Sequence, residues 1–145
     1  MSDVTCEILI DASPATIFPF LVDPKQHVRW MGTTATLEPV RGGAHRLLVG
    51  GSHPSAGTFL EVVPNERIVF TFGWDEPDHP VPAGSTEVEI ALLPQGAQTL
   101  VRLTHRNLPE DAVGDHTKGW THYLERLAQA CTGIDVGPDV LAEAG

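Results

Sequence analysis

The sequence predicts one α+β domain, an antiparallel sheet flanked by short helices and closed by one long amphipathic helix. Three observations carry that expectation. Apolar and polar residues alternate in short runs between Gly- and Pro-rich turns through the middle of the chain. A stripe at intervals of three and four residues ends it. The length of 145 residues, with 41% hydrophobic content, suits a single core.

Val4, Cys6, Ile8 and Ile10 alternate with Thr5, Glu7 and Leu9, the period of a half-buried strand. Ser13-Pro14 marks a helix start: the serine hydroxyl accepts from a free backbone N–H, and the proline sits where no donor is needed. Ile17, Phe18 and Leu21 share its inner face. Pro19 falls inside, so this helix is expected to be short or kinked before Asp23-Pro24 starts another running toward Trp30. Thr34 to Glu38 reads as a short strand. His45, Leu47 and Val49 share a face of the next, and Gly50-Gly51-Ser52-His53-Pro54 is a turn into a strand from Gly57 to Val63. After Pro64-Asn65-Glu66, the run Arg67 to Trp74 puts Ile68, Phe70, Phe72 and Trp74 on one aromatic face. Asp75 to Gly84, with three prolines and no periodicity, is a loop. Val88, Ile90 and Leu92 alternate in one strand. Beyond the Pro94-Gln95-Gly96-Ala97 turn, Thr99, Val101, Leu103 and His105 alternate in another. His116, Trp120, Tyr123, Leu124, Leu127 and Cys131 form the stripe of the long helix, with a cap expected between Asp111 and Asp115 and Gly133 as its stop. Residues 134–145 carry no pattern and are expected to form a flexible tail in which Val140 and Leu141 could pack.

The formal charge of -10, from 19 acidic and 9 basic residues, repels phosphate backbones and anionic membrane surfaces, so nucleic-acid and membrane partners are disfavoured. No apolar run approaches the roughly 20 residues of a membrane span. The N-terminal Met1-Ser2-Asp3-Val4 lacks a basic segment and an apolar stretch, so a cytoplasmic location is expected. Cys6 and Cys131 show no C-x-x-C spacing, and Cys6 is in phase with Val4 and Ile8, which favours packing over a disulfide or a metal site.

Seven histidines invite a metal hypothesis, but His27, His45, His53, His79, His105, His116 and His122 form no H-x-E or H-E-x-x-H pattern, so no metal is expected. His53 and His79 fall in Pro-rich loops and His122 lies off the helix stripe, which reads as solvent exposure. His45, His105 and His116 sit on inward faces, either as satisfied core imidazoles or as groups that orient a ligand or move a proton. Glu61 is in phase with Phe59, although Leu60 and Val62 compete for the same inner face. Nucleophilic chemistry lacks a G-x-S-x-G elbow, and phosphate binding lacks a G-x-x-x-x-G-K loop.

Several segments in order carry a family resemblance over about residues 4 to 131. They are Ile10-Asp11-Ala12-Ser13-Pro14 before Ile17-Phe18, Asp23-Pro24 before Trp30, Arg41-Gly42-Gly43, Gly57, Glu61-Val62-Val63-Pro64, and Glu66 through Phe72. Thr99 through His105, and Gly119-Trp120 ahead of Leu124 and Leu127, complete the series. Together they resemble the START-related, birch-pollen-allergen-like superfamily, and within it the bacterial homologues of the C-terminal domain of the heat-shock-protein-90 ATPase activator. That resemblance implies the helix-grip fold over residues 1–133: a curved antiparallel sheet wrapped around the C-terminal helix, two short helices near the N-terminus, and a cavity between sheet and helix. Across the superfamily such a cavity takes apolar or aromatic molecules, and the leading expectation here is a cofactor-free protein that holds a small one in a carrier, sequestration or sensing role. The expected lining is Trp30, His45, Phe59, Phe70, Phe72, Trp74, Val88, Ile90, Leu103, His105, His116, Trp120, Tyr123 and Leu124. The alternatives are a cyclase-, aromatase- or hydrolase-like enzyme using His105, His116 and Glu61, and an interaction module acting on a chaperone or another protein. Monomer and homodimer both remain open.

Overall fold

The computed structural model describes residues 1–140. Its sheet has seven strands: β1 (Ser2–Ile10), β2 (Ala35–Leu37), β3 (Ala44–Val49), β4 (His53–Val63), β5 (Arg67–Phe72), β6 (Thr86–Gln95) and β7 (Gln98–Leu108). They are ordered β1-β7-β6-β5-β4-β3-β2, with every neighbouring pair antiparallel. The helices α1 (Pro14–Val22) and α2 (Pro24–His27) follow the first strand, and α3 (Val113–Cys131) follows the last. This is the helix-grip arrangement: the alternating side chains of the strands present one apolar face, and the stripe of α3 covers it.

The local signals act where they stand in sequence. Ser13 Oγ accepts from Thr16 N, and Pro14 opens α1. Pro19 does not end that helix, which runs unbroken to Val22. Asp23 then closes α1 through its backbone N–H to the Pro19 carbonyl and caps α2 through its side chain. Between β3 and β4 the turn is only Gly50-Gly51-Ser52. Both glycines have positive φ, and His53 and Pro54 already belong to β4, opposite Val49 and Leu48. The expected Asp cap on the long helix is absent. A 3₁₀ turn (Glu110–Ala112) leads into α3, and Ala112 at the N-cap offers no side-chain acceptor. Gly133, at φ 91°, ends α3 with the hydrogen bonds Gly133 N to Ala130 O and Ile134 N to Gln129 O.

A bulge in β4 decides the place of Glu61. Phe59 pairs with Phe70, but Glu61 pairs with Val69, so the register slips by one residue at Leu60. Past the bulge, Val62 lies opposite the buried Ile68, and Glu61 lies on the solvent side.

The core runs from Ile10, Ile17 and Leu21 across Phe59, Ile68, Phe70, Ile90 and Leu103 to Leu124 and Leu127. Cys131 belongs to it, Cys6 packs against it, and both thiols are free. A smaller cluster of Val4, Val81, Leu108 and Ala112 joins the loop after β5 to the start of α3. That loop is pinned at its root: Trp74 N donates to Val81 O at 2.8 Å, and a Cβ on Gly73 would lie 1.7 Å from the Pro82 carbonyl oxygen. Because the obstruction is backbone, Gly73→Ala is expected to cost at least about 3 kcal/mol, visible as a lowered denaturant midpoint. Retention of wild-type stability would mean that the loop does not pack against Gly73 in solution.

Candidate functional site

The first half of α3, the ends of β3 to β5 and the loop after β5 border an open-mouthed cavity of about 670 Å³. Phe72, Trp74, Trp120 and Tyr123 contribute rings to its lining, Met31, Val49 and Val81 add aliphatic surface, and Gly119 leaves room along the helix. His53, Glu76, His79, Asp111, Asp115, His116, Lys118 and His122 are the polar residues of the lining.

A hydrogen-bonded relay stands behind the aromatic wall. Trp120 Nε1 donates to His105 Nδ1 at 2.9 Å, and His105 Nε2 lies 2.8 Å from Thr86 Oγ1. The threonine hydroxyl is itself committed to the Phe72 carbonyl at 2.7 Å, so His105 Nε2 carries the proton and donates to it. Burial, followed by the field of His116, lowers the His105 pKa to about 3. Protonating Nδ1 would set two donors, this imidazole and the Trp120 indole, against each other. His105 is therefore a neutral, satisfied imidazole that fixes the orientation of Trp120.

His116, which does line the cavity, is held by the same logic with the tautomer reversed. Its Nδ1 donates to Ala112 O at 2.8 Å, and its Nε2 accepts from Trp74 Nε1 at 3.2 Å. Both indole donors of the wall are thus spent on histidines within the protein. The Tyr123 hydroxyl donates to Asp139 Oδ1 at 2.9 Å, and burial pushes the phenol pKa up. The deep part of the cavity presents ring faces and leaves its buried polar atoms paired inside the protein.

A scan of family models matches residues 11–132 to the activator of Hsp90 ATPase homolog 1-like family. The chain belongs to that family. A solution structure of an AHSA1-like protein from Rhizobium etli shares 43% identity, with 97% of this chain and 88% of that one covered and a TM-score of 0.75. A crystal structure of a protein from Mesorhizobium loti shares 21% identity, with 93% and 100% covered and a TM-score of 0.82. The Aha1 dimer from Colwellia psychrerythraea shares 23% identity, with 94% and 98% covered and a TM-score of 0.77. No curated protein matches the chain.

In this member of the Hsp90 ATPase activator homolog 1-like family, the residues singled out from sequence divide into two groups. Phe72, Trp74, His116, Trp120 and Tyr123 meet at the cavity. Trp30, Phe59, Phe70, Val88, Ile90, Leu103 and Leu124 instead fill the core, as do His45 and His105, each at 2% exposure or less. They fill it because the inner face of the sheet and the apolar stripe of α3 interlock directly. Beside His45 the remaining gap is about 10 Å³, room for one water-sized probe at most. Glu61 pairs with Arg67 at 2.6 Å on the outer surface, and that guanidinium holds its carboxyl below the usual range. Of the three candidate catalytic groups, His105 and His116 stand edge to face with ring centroids 5.3 Å apart, each held by partners within the protein, and Glu61 lies away on the outer surface.

Some contributors escaped the sequence reading. Val81, Met31 and Val49 line the cavity, and His53, at the start of β4, and His79, in the loop after β5, stand at it as well. Val81 is fully buried, but it sits among prolines where no periodicity marks it. Asp139, in the stretch expected to be a flexible tail, is 2% exposed and accepts from Gly32 N at 2.7 Å, Gly50 N at 3.1 Å and Tyr123 Oη. Arg126 reinforces that anchorage by donating to the carbonyls of Trp30, Val136 and Gly137. Val140 is exposed, and Leu141 lies outside the described residues. Among the described residues no three His, Cys, Asp or Glu side chains are grouped to hold a metal ion, and no helix is long and apolar enough to cross a membrane.

Proposed function

We propose that the cavity binds a small, flat apolar or aromatic molecule against Trp74 and Trp120, in a carrier, sequestration or sensing role. One observation carries this reading: a space of about 670 Å³, within the size range of small-molecule sites, is walled by aromatic rings whose buried N–H and O–H groups are already paired. Such a wall rewards surface contact and asks for no buried hydrogen bond from the ligand. Aromatic stacking adds about 0.5–1.5 kcal/mol per ring pair beyond area burial. The notion that a histidine nitrogen orients the ligand gives way to His105 and His116 orienting the indoles.

Titration with N-phenyl-1-naphthylamine, a neutral dye that brightens in apolar surroundings, tests the proposal. Saturable binding in the micromolar range is expected. Gly119→Leu is the discriminating variant, because a Cβ at Gly119 meets no atom within 4 Å and the residue lies within α3 on the cavity wall. Leucine there is expected to raise stability by about 0.5–1 kcal/mol through helix propensity while weakening dye binding roughly tenfold. Binding that survives this filling, or no binding by the wild type, would count against the cavity as the site.

A further inference from the structure

We infer that the cavity selects cationic or neutral aromatic amphiphiles and rejects anionic ones of the same shape. This rests on the proposed function and adds the charge class of the ligand. The lining holds three carboxylates, Glu76, Asp111 and Asp115, against one ammonium, Lys118. Among the described residues Asp111 and Asp115 form no ion pair, and the partner of Glu76 is His53 at 3.4 Å.

The start of α3 offsets part of that charge, since the positive end of a helix counts as roughly +0.5. The balance stays negative by about one and a half charges. The chain's formal -10 has the same sign and reinforces it at long range. Deeper in, the aromatic wall favours a cation again, because ring faces attract positive charge and repel carboxylates. An anionic head group would meet carboxylates at the polar part of the lining and find the Trp74, Trp120 and Tyr123 donors already engaged. Both ends of the site therefore discriminate in one direction.

Three probes with one ring system test this: 1-naphthylmethylammonium, 1-naphthalenemethanol and 1-naphthoate, titrated by tryptophan fluorescence at about pH 8, on the alkaline side of the histidine range. At low ionic strength the ammonium is expected to bind at least about tenfold more tightly than the carboxylate, with the alcohol between them, and the ratio should shrink in high salt. The triple variant Glu76→Gln, Asp111→Asn, Asp115→Asn is expected to collapse the ratio to within about twofold. Glu66→Gln, on the hairpin between β4 and β5, is expected to leave the ratio as it was. If the alcohol binds but the two ions bind equally, or the carboxylate binds best, the inference is overturned and the cavity reading stands. A ratio that the triple variant leaves intact also overturns it, by assigning the preference to charge elsewhere. If no probe binds, the cavity reading and this inference fall together.

Discussion

Stability is expected to fall steeply as the pH drops from 6.5 toward 4, because burial makes three imidazoles far harder to protonate in the folded protein than in the unfolded chain. Burial lowers His27 to about 4, His45 to about 3 and His105 to about 3, against 6.5 for an exposed histidine. The unfolded chain binds those protons below pH 6.5 and the folded protein does not. Folded-state stability is therefore intact above 6.5 and is lost progressively as the pH falls toward the folded values. Each group contributes about 1.4 kcal/mol per pH unit in that window, so the three together approach 4 kcal/mol per unit. Set against the roughly 5–15 kcal/mol of a typical domain, this places cooperative acid unfolding near pH 5. Urea denaturation at a series of pH values measures the slope. His45→Leu should remove about a third of it. The same change should raise neutral-pH stability by about 1–2 kcal/mol, since neither ring nitrogen of His45 has a hydrogen-bond partner within the protein. A flat profile down to pH 4.5 would mean that these imidazoles are not buried as described.

The second large effect is expected at Asp139. Asp139→Ala strands three donors at once, the Gly32 and Gly50 amides and the Tyr123 hydroxyl, in a place that is almost wholly buried. At about 1–3 kcal/mol for each stranded group, and with some relief as water enters, the loss should reach about 3–5 kcal/mol. Tyr123→Phe removes one donor without leaving the carboxylate bare and should cost about 1 kcal/mol. The double variant should cost less than the sum of the two, since the Tyr123 bond can be lost only once. An Asp139→Ala protein with an unchanged denaturant midpoint would show that residues 134–140 are not held against the domain in solution.

How much of this was legible in sequence depended on whether a residue's neighbours were local. Ser13-Pro14, Gly50-Gly51, Gly133 and the stripe of α3 act over a few residues, and their structural roles follow from spacing alone. The core face of β5 and the helix stripe were equally visible, which is why Phe72, Trp74, Trp120 and Tyr123 could be placed on the inner side. Depth was not visible. Period-two alternation gives Phe70 and Phe72 the same status, yet Phe70 stacks on His45 at 3.7 Å in a filled core while Phe72 borders open space. The face taken by Glu61, left open in the alternation, is decided by a single-residue bulge, which leaves no mark in a pattern of apolar residues. Asp139 had no local signal, because every donor that fixes it comes from another part of the chain.

The central claim is that a flat apolar molecule lies against Trp74 and Trp120. Intermolecular NOEs between the naphthyl protons of bound N-phenyl-1-naphthylamine and the side chains of the isotope-labelled full-length protein test it most directly. Contacts to the rings of Trp74, Trp120 and Tyr123 and to the methyl groups of Val49 and Val81 are expected, with none to Phe59, Ile90 or Leu103. A dye that binds but shows its NOEs only to residues on the outer face of the sheet, or to those core side chains, would contradict the claim.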